Sequence, residues 1–225
     1  MQIVPGVEFE EEELRLLVYG REVRPEVRWM NDLRSVLMRP EAVKEDFPAY
    51  MMYRDLPPLT RSWVRLDLTV IPPWEVGGEL AKTKGHYHLP LNGRYLPEVY
   101  CVHLGEAVFL LQRRGASPYD VEDFVVVRAK KGSIVTVPPN YGHVTVNFGS
   151  RILVMSNFIH REVKPDYGTY ELTKGAAYYV TREGIIRNES YSSVPEPRYE
   201  EPIMLEDPIK NIITNESFLK MLSGT

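Results

Sequence analysis

The sequence predicts an all-β barrel or sandwich, on three observations. Runs rich in valine, isoleucine and aromatics recur at spacings of about ten residues between 61 and 187. Glycine and proline divide these runs from one another. The chemistry-bearing residues fall into two blocks, Gly85-His86-Tyr87-His88 with Glu98, and Gly132 to Pro138 with His143 and Asn147. A strand alternates its side chains between two faces, so His86 and His88 point the same way.

Composition bounds the possibilities. The 225 residues, 44% hydrophobic and 26% charged, suffice for one sizeable core in an ordinary soluble globular protein. A net charge of −4 argues against a nucleic-acid-binding face, which needs clustered basic residues. The single cysteine, Cys101, cannot form an internal disulfide and reads as a small hydrophobe on a strand. No segment approaches the roughly 18 apolar residues of a membrane-spanning helix. The N-terminus carries Glu8 and Glu10 to Glu13 instead of a basic-then-apolar signal, so the expected location is the cytoplasm.

Taken in order, residues 1–60 combine strand-like pieces with two expected helices packed outside the barrel. Asn31 to Met38 reads as the first, capped by Asn31; Pro40 to Phe47 reads as the second, opened by proline and early acids. Ser62 to Ile71 alternates Trp63, Arg65, Asp67 and Thr69 against Val64, Leu66, Leu68 and Val70. Pro72-Pro73-Trp74 and Gly77-Gly78 mark turns. Further strands are expected at Val99 to Leu111, Phe124 to Ala129, Ile134 to Val137, His143 to Asn147, Ile152 to Ser156 and Ala177 to Val180. From Val194 the prolines and acids predict an extended surface linker, and Asn215 to Leu222 a terminal helix capped by Asn215.

Three imidazoles and one carboxylate form a ligand set that suits a first-row divalent ion. An isolated His-x-His is common, and the second block is what turns the pattern into a metal prediction. On the strand beginning at Glu98, Tyr100 and Val102 share its face, while Cys101 and His103 face away. On the later strand His143, Thr145 and Asn147 share a face, and His160 lies outside both blocks in a packing or surface role. Such an ion has room for substrate oxygens at five or six coordination, which favours iron, manganese or nickel over structural zinc.

The two blocks resemble the paired motifs of the cupins, small antiparallel β-barrels that hold one metal inside. Thr83-Lys84-Gly85-His86-Tyr87-His88, Pro97-Glu98-Val99-Tyr100, Leu110-Leu111-Gln112, Val137-Pro138-Pro139 and Asp166-Tyr167-Gly168-Thr169 further resemble the cupin-type glucose-6-phosphate isomerases of archaea, from about residue 29 to about residue 187. The resemblance implies one cupin domain over 1–190, short peripheral N-terminal helices and a C-terminal extension over 191–225. It places the metal ligands on His86, His88, Glu98 and His143, with Fe²⁺ first and Mn²⁺, Ni²⁺ or Zn²⁺ as alternatives. Glu98 falls also on the proton-transfer position, and Tyr53, Thr69, Thr83, Gly85 and Tyr167 on the phosphate contacts. The implied activity is interconversion of glucose 6-phosphate and fructose 6-phosphate in glycolysis and gluconeogenesis, by a homodimer that binds neither nucleic acid nor membrane. Action on another phosphosugar such as mannose 6-phosphate, or sugar binding without catalysis, would use the same residues.

Three departures from the general pattern carry expectations of their own. Nine residues separate His88 from Glu98, so Leu89 to Pro97 should bulge as a loop. Asn140 stands where the second block has glycine, and asparagine tolerates the positive φ such a turn needs. Phe158 to Pro165 follows the family pattern poorly.

Overall fold

The computed structural model describes residues 1–57 and 63–223, so the expected strand start at Ser62 lies outside the described residues. The chain opens with a four-stranded antiparallel meander of β1 (Gln2–Val4), β2 (Val7–Glu10), β3 (Arg15–Val18) and β4 (Arg21–Val23). β5 (Glu26–Trp29) follows, then one turn of helix, α1 (Met30–Leu33), continued as a 3₁₀ turn over Arg34–Val36. The expected cap is displaced. Trp29 occupies the N-cap, its N–H donating to the Asp32 carboxylate at 3.1 Å, while the Asn31 N–H is held by Asp46 at 2.9 Å. The second expected helix reduces to a 3₁₀ turn over Pro40–Ala42, because tertiary contacts override the local proline-and-acid signal.

The barrel proper uses β6 (Pro48–Tyr53), β7 (Val64–Ile71), the short hairpin of β8 (Glu75–Val76) and β9 (Glu79–Leu80) around Gly77-Gly78, and β10 (Tyr87–His88). Then come β11 (Glu98–Leu104), β12 (Glu106–Arg114), β13 (Val121–Lys130), β14 (Ser133–Val137), β15 (Tyr141–Asn147) and β16 (Leu153–His160). The single strand expected over Val99 to Leu111 is broken at Gly105. That residue has φ +84°, and a Cβ there would lie 2.7 Å from the Ile152 carbonyl oxygen. β17 (Pro165–Asp166) pairs with β10, and α2 (Gly168–Leu172) leads into the β18 (Tyr178–Val180) and β19 (Ile185–Arg187) hairpin.

The tail does more than lie on the surface. β20 (Arg198–Glu200) is exposed yet joins β13 in parallel, and β21 (Ile203–Met204) joins β14. α3 (Pro208–Thr214) and α4 (Glu216–Ser223) then bury Ile209, Ile212 and Leu222. The terminal cap at Asn215 is as expected, its side-chain oxygen accepting the Ser217 N–H at 2.9 Å. Pairing gave this segment its backbone partners, so the proline-rich composition did not leave it a free linker.

Two sheets make the barrel walls, one of seven strands ordered β21-β14-β11-β16-β7-β6-β5 and one of four ordered β15-β12-β13-β20. One apolar cluster fills the interior and continues behind the four-stranded sheet; it includes Phe109, Leu111 and Val137 within, and Phe124 packed on Tyr178. A second covers the other face of the large sheet, where Leu66, Leu68, Val99, Cys101 and Phe158 meet Phe9 and Leu16 from the meander and Ile212 and Leu222 from the terminal helices. The central strands β7, β11 and β16 of the large sheet are thus buried on both faces. This explains the alternation along β7: its apolar side faces the outer cover, and Arg65, Asp67 and Thr69 face inward, which is the reverse of an ordinary solvated sheet.

Candidate metal centre

Backbone register brings the two sequence blocks together. His86 and His143 form an antiparallel bridge, with N–H to O distances of 3.2 and 3.0 Å in the two directions. β11 carries Glu98 in from the large sheet, and the Leu89 to Pro97 excursion is a loop, as the spacing required. Gly85 at φ +78° lets the strand turn into the site; a Cβ there would lie 2.5 Å from a Val144 methyl. Asn140 adopts φ +65°, so the turn before His143 survives without glycine.

One ligand atom from each of His86, His88, Glu98 and His143 lies within 4.8 Å of all the others. Atoms held about 2.1 Å from a common ion are separated by roughly 3–4 Å, so a contraction of tenths of an ångström closes this set. Glu98 Oε2 sits 3.2 Å from both His88 Nε2 and His143 Nε2. Yet His88 Nε2 and Glu98 Oε2 have no partner in hydrogen-bonding geometry and are buried. Two orphaned polar atoms aimed at one point are costly unless something occupies that point, and a divalent cation fits the donor chemistry. The residues present therefore fit a metal.

The surroundings tune the ligands. His88 Nδ1 lies 3.4 Å from the Leu96 carbonyl oxygen, an arrangement that keeps the proton on Nδ1 and frees Nε2. Asn157 Nδ2 donates to Glu98 Oε1 at 2.6 Å, which leaves Oε2 as the oxygen that would coordinate an ion. The Tyr100 hydroxyl lies 3.0 Å from His143 Nε2. Burial raises the Glu98 carboxyl, but the contacts with His143 and His88 outweigh it and hold the group well below the usual carboxylate range. Burial, helped by neighbouring imidazoles, pushes His86 well down, and burial lowers His143 despite Glu98. Neutral imidazoles beside an ionised carboxylate are the protonation states that metal binding requires.

The cluster lines a cavity of about 390 Å³, within the usual range for small-molecule sites. Thr69, Thr83, Gly85 and Tyr167 all line it, with the Tyr167 ring 5.4 Å from the His86 ring. Thr83 Oγ1 also accepts the Thr145 N–H at 3.0 Å. Tyr53 does not reach the cavity. It pairs with Leu68 on β7, faces the outer cluster, and donates its hydroxyl to the Leu14 carbonyl at 3.3 Å. The alternation of β6 instead turns Tyr50, Met52 and the following Arg54 inward.

His103 and His160 stay outside, as strand parity indicated. His103 Nε2 meets the Ser156 hydroxyl at 2.8 Å, with burial pushing its imidazole down to about 4, and His160 stacks on Trp63. A larger groove of about 870 Å³ separates the N-terminal strands from the C-terminal helices. His103 is its one imidazole, and the ligand cluster lies elsewhere.

The sequence reading missed Asn157, Arg54 and the inward role of Arg65. The strand expected over Ile152 to Ser156 stopped four residues short of the observed end at His160; carried on, its alternation puts Met155, Asn157 and Ile159 on the cavity face.

Comparison with known proteins places these observations in a family. Residues 27–196 match the family described as glucose-6-phosphate isomerase (GPI). The glucose-6-phosphate isomerase of Thermococcus gammatolerans is 30% identical over 162 residues, covering 70% of this chain and 80% of that protein. That of Pyrococcus furiosus is 30% identical over 156 residues, covering 69% and 75%. Among solved structures, the cupin domain of Drosophila melanogaster CENP-C aligns over 48% of this chain and 65% of its own at 14% identity, with a TM-score of 0.33. With three quarters of its length matching that family and the histidine–glutamate cluster within the matched residues, the chain belongs to the glucose-6-phosphate isomerase family.

Proposed function

We propose that this protein is a metal-dependent isomerase that interconverts glucose 6-phosphate and fructose 6-phosphate. The observation that carries the proposal is the buried set of His86, His88, Glu98 and His143 facing a cavity of sugar-phosphate size, in a member of that family. A divalent ion held there supplies Lewis-acid stabilisation of negative charge on the sugar's two adjacent oxygens.

The chain's own residues do the rest. Glu98 is the carboxylate at the site that could take a proton from one carbon and return it to the next, and the Asn157 amide holds its Oε1 in place. Tyr100, pushed well above the ordinary phenol range by burial and then by Glu98, stays protonated and serves as a donor beside His143. Thr69, Thr83, the Gly85 backbone and Tyr167 offer neutral hydrogen-bond donors for the phosphate oxygens. The apolar wall of Met155, Ile159 and Val163 limits water at the reacting carbons.

Fe²⁺ is the proposed native ion, with Mn²⁺ or Ni²⁺ substituting, and a cytoplasmic homodimer the proposed working form; light scattering of the purified protein checks the dimer. The deciding experiment is a coupled assay of fructose 6-phosphate conversion with and without a chelator. Activity should vanish on chelation and return with Fe²⁺, Mn²⁺ or Ni²⁺. Full turnover by protein shown to be metal-free by elemental analysis would refute the proposal.

A further inference from the structure

The cavity wall across from the histidines carries charge that the reading above leaves unused. Arg54 Nη1 and Arg65 Nε both donate to Oδ2 of Asp67, at 2.9 and 3.0 Å, and the Asp55 N–H donates to Oδ1 at 2.9 Å. Asp67 is 1% exposed. Two guanidiniums thus share one buried carboxylate, and the trio keeps an excess of positive charge. Arg54 spends its remaining nitrogens on the Met52 sulfur at 3.1 Å and on Glu26, 3.6 Å away at the surface. Arg65 does not: among the described residues its Nη1 and Nη2 have no hydrogen-bond partner, and the residue lines the cavity.

Of the other cations, Arg28 stands behind the cavity lining, over the Tyr167 ring with its Nε unpartnered among the described residues, and the rest are engaged or peripheral. Arg161 pairs with Asp55, and Lys84 with Glu171 at 2.5 Å. Lys164 lies exposed on the rim. Register fixes where Arg65 stands. Val99, Phe158 and Leu66 form one row across β11, β16 and β7. The residues one step along, Glu98 and Arg65, are therefore level with each other and two strand spacings apart, about 10 Å. A hexose phosphate with its reacting carbons at Glu98 spans a distance of that order. Arg54, Arg65, Thr69, Thr83 and Tyr167 all line the one cavity, so the arginines and the neutral donors face a shared volume.

We propose that Arg65, locked in place with Arg54 on Asp67, is the fork that recognises the phosphate monoester of the sugar. The neutral donors Thr69, Thr83 and Tyr167 orient phosphate oxygens, and the fork supplies the opposite charge they lack, in the bidentate geometry guanidinium offers. This assignment rests on the phosphosugar reading for the identity of the ligand.

The test is the ratio of affinities for glucose 6-phosphate and glucose, measured by calorimetry on the metal-loaded protein. Taking the ratio cancels whatever the ion contributes to both ligands. Arg65→Gln should cut the ratio by roughly 10- to 100-fold, with the KM for fructose 6-phosphate rising by a similar factor and kcat changing less. Arg65→Lys, which keeps the charge and can still reach Asp67, should fall between wild type and Arg65→Gln. Asp67 keeps Arg54 and the Asp55 N–H in both variants, so the wall remains satisfied. A wild-type protein that binds both sugars equally, or an Arg65→Gln protein whose ratio stays within threefold of wild type, overturns the assignment. If the ratio collapses in a protein that isomerises neither phosphosugar, the fork stands and the isomerase proposal falls.

Discussion

Replacing Asn157 by leucine removes the one donor that, among the described residues, holds Glu98 Oε1, while nearly conserving volume. The bond is short, 2.6 Å, and both groups are buried, with Asn157 5% and Glu98 2% exposed. A hydrogen bond to a charged acceptor contributes about 1.5–3 kcal/mol, and each 1.4 kcal/mol is tenfold in an equilibrium constant. Metal affinity should therefore fall roughly 10- to 100-fold, the range seen when residues that orient ligands are removed elsewhere. The physical route is loss of a fixed single-oxygen ligand: Glu98 becomes free to rotate about its last bond, and Oε1 loses its partner. The assay is chelator competition with Mn²⁺, with the electron paramagnetic resonance spectrum as a second readout of the coordination shell. His88→Ala serves as the reference for outright ligand loss. An Asn157→Leu protein that binds Mn²⁺ within threefold of wild type, with an unchanged spectrum, would refute the claim that Asn157 positions Glu98.

Three other expectations follow from the same geometry. Glu98→Gln keeps shape and an oxygen donor but removes the proton acceptor, so turnover at saturating metal should drop about 10²–10⁴-fold in the coupled assay; a few-fold loss would leave Glu98 a ligand only. Arg198 bonds Asp123 at 2.7 Å through two nitrogens and, with help from Tyr141, lowers that carboxyl to about 2. A depressed carboxylate stabilises the fold above its unfolded value of about 3.9 and ceases to as pH falls through its folded value. The difference in urea midpoint between wild type and Arg198→Ala should thus shrink steadily from pH 4 to pH 2, and a gap independent of pH would exclude this pair as its cause. Gly105→Ala forces a Cβ to within 2.7 Å of a carbonyl oxygen at φ +84°, and thermal melts should show a loss of about 1–3 kcal/mol.

Much of this protein was legible in one dimension because its chemistry follows short-range rules. Period-two alternation put His86 with His88 and separated Glu98 from His103, and these placements hold in three dimensions. The length of the Leu89 to Pro97 loop and the tolerance of Asn140 for positive φ were likewise local matters. The alternation Arg65, Asp67, Thr69 was read correctly as a strand, but nothing within that strand says which of its faces is the interior. Only the outer cover of meander and terminal helices, which buries Leu66 and Leu68, leaves the charged face to line the cavity. Tyr53, placed among the phosphate contacts by the resemblance alone, turns outward: parity separates it from Tyr50, and the cover decides which of the two faces the cavity. The sequence by itself thus determined most of the barrel strands, the candidate ligand residues and their relative faces, since these depend on spacing along one chain. Tertiary structure alone decided the inward direction, the tail's place in both sheets, and the contacts between Asn157 and Glu98 and among Arg54, Asp67 and Arg65. Those contacts join residues on separate strands, whose meeting depends on the register of pairing between them.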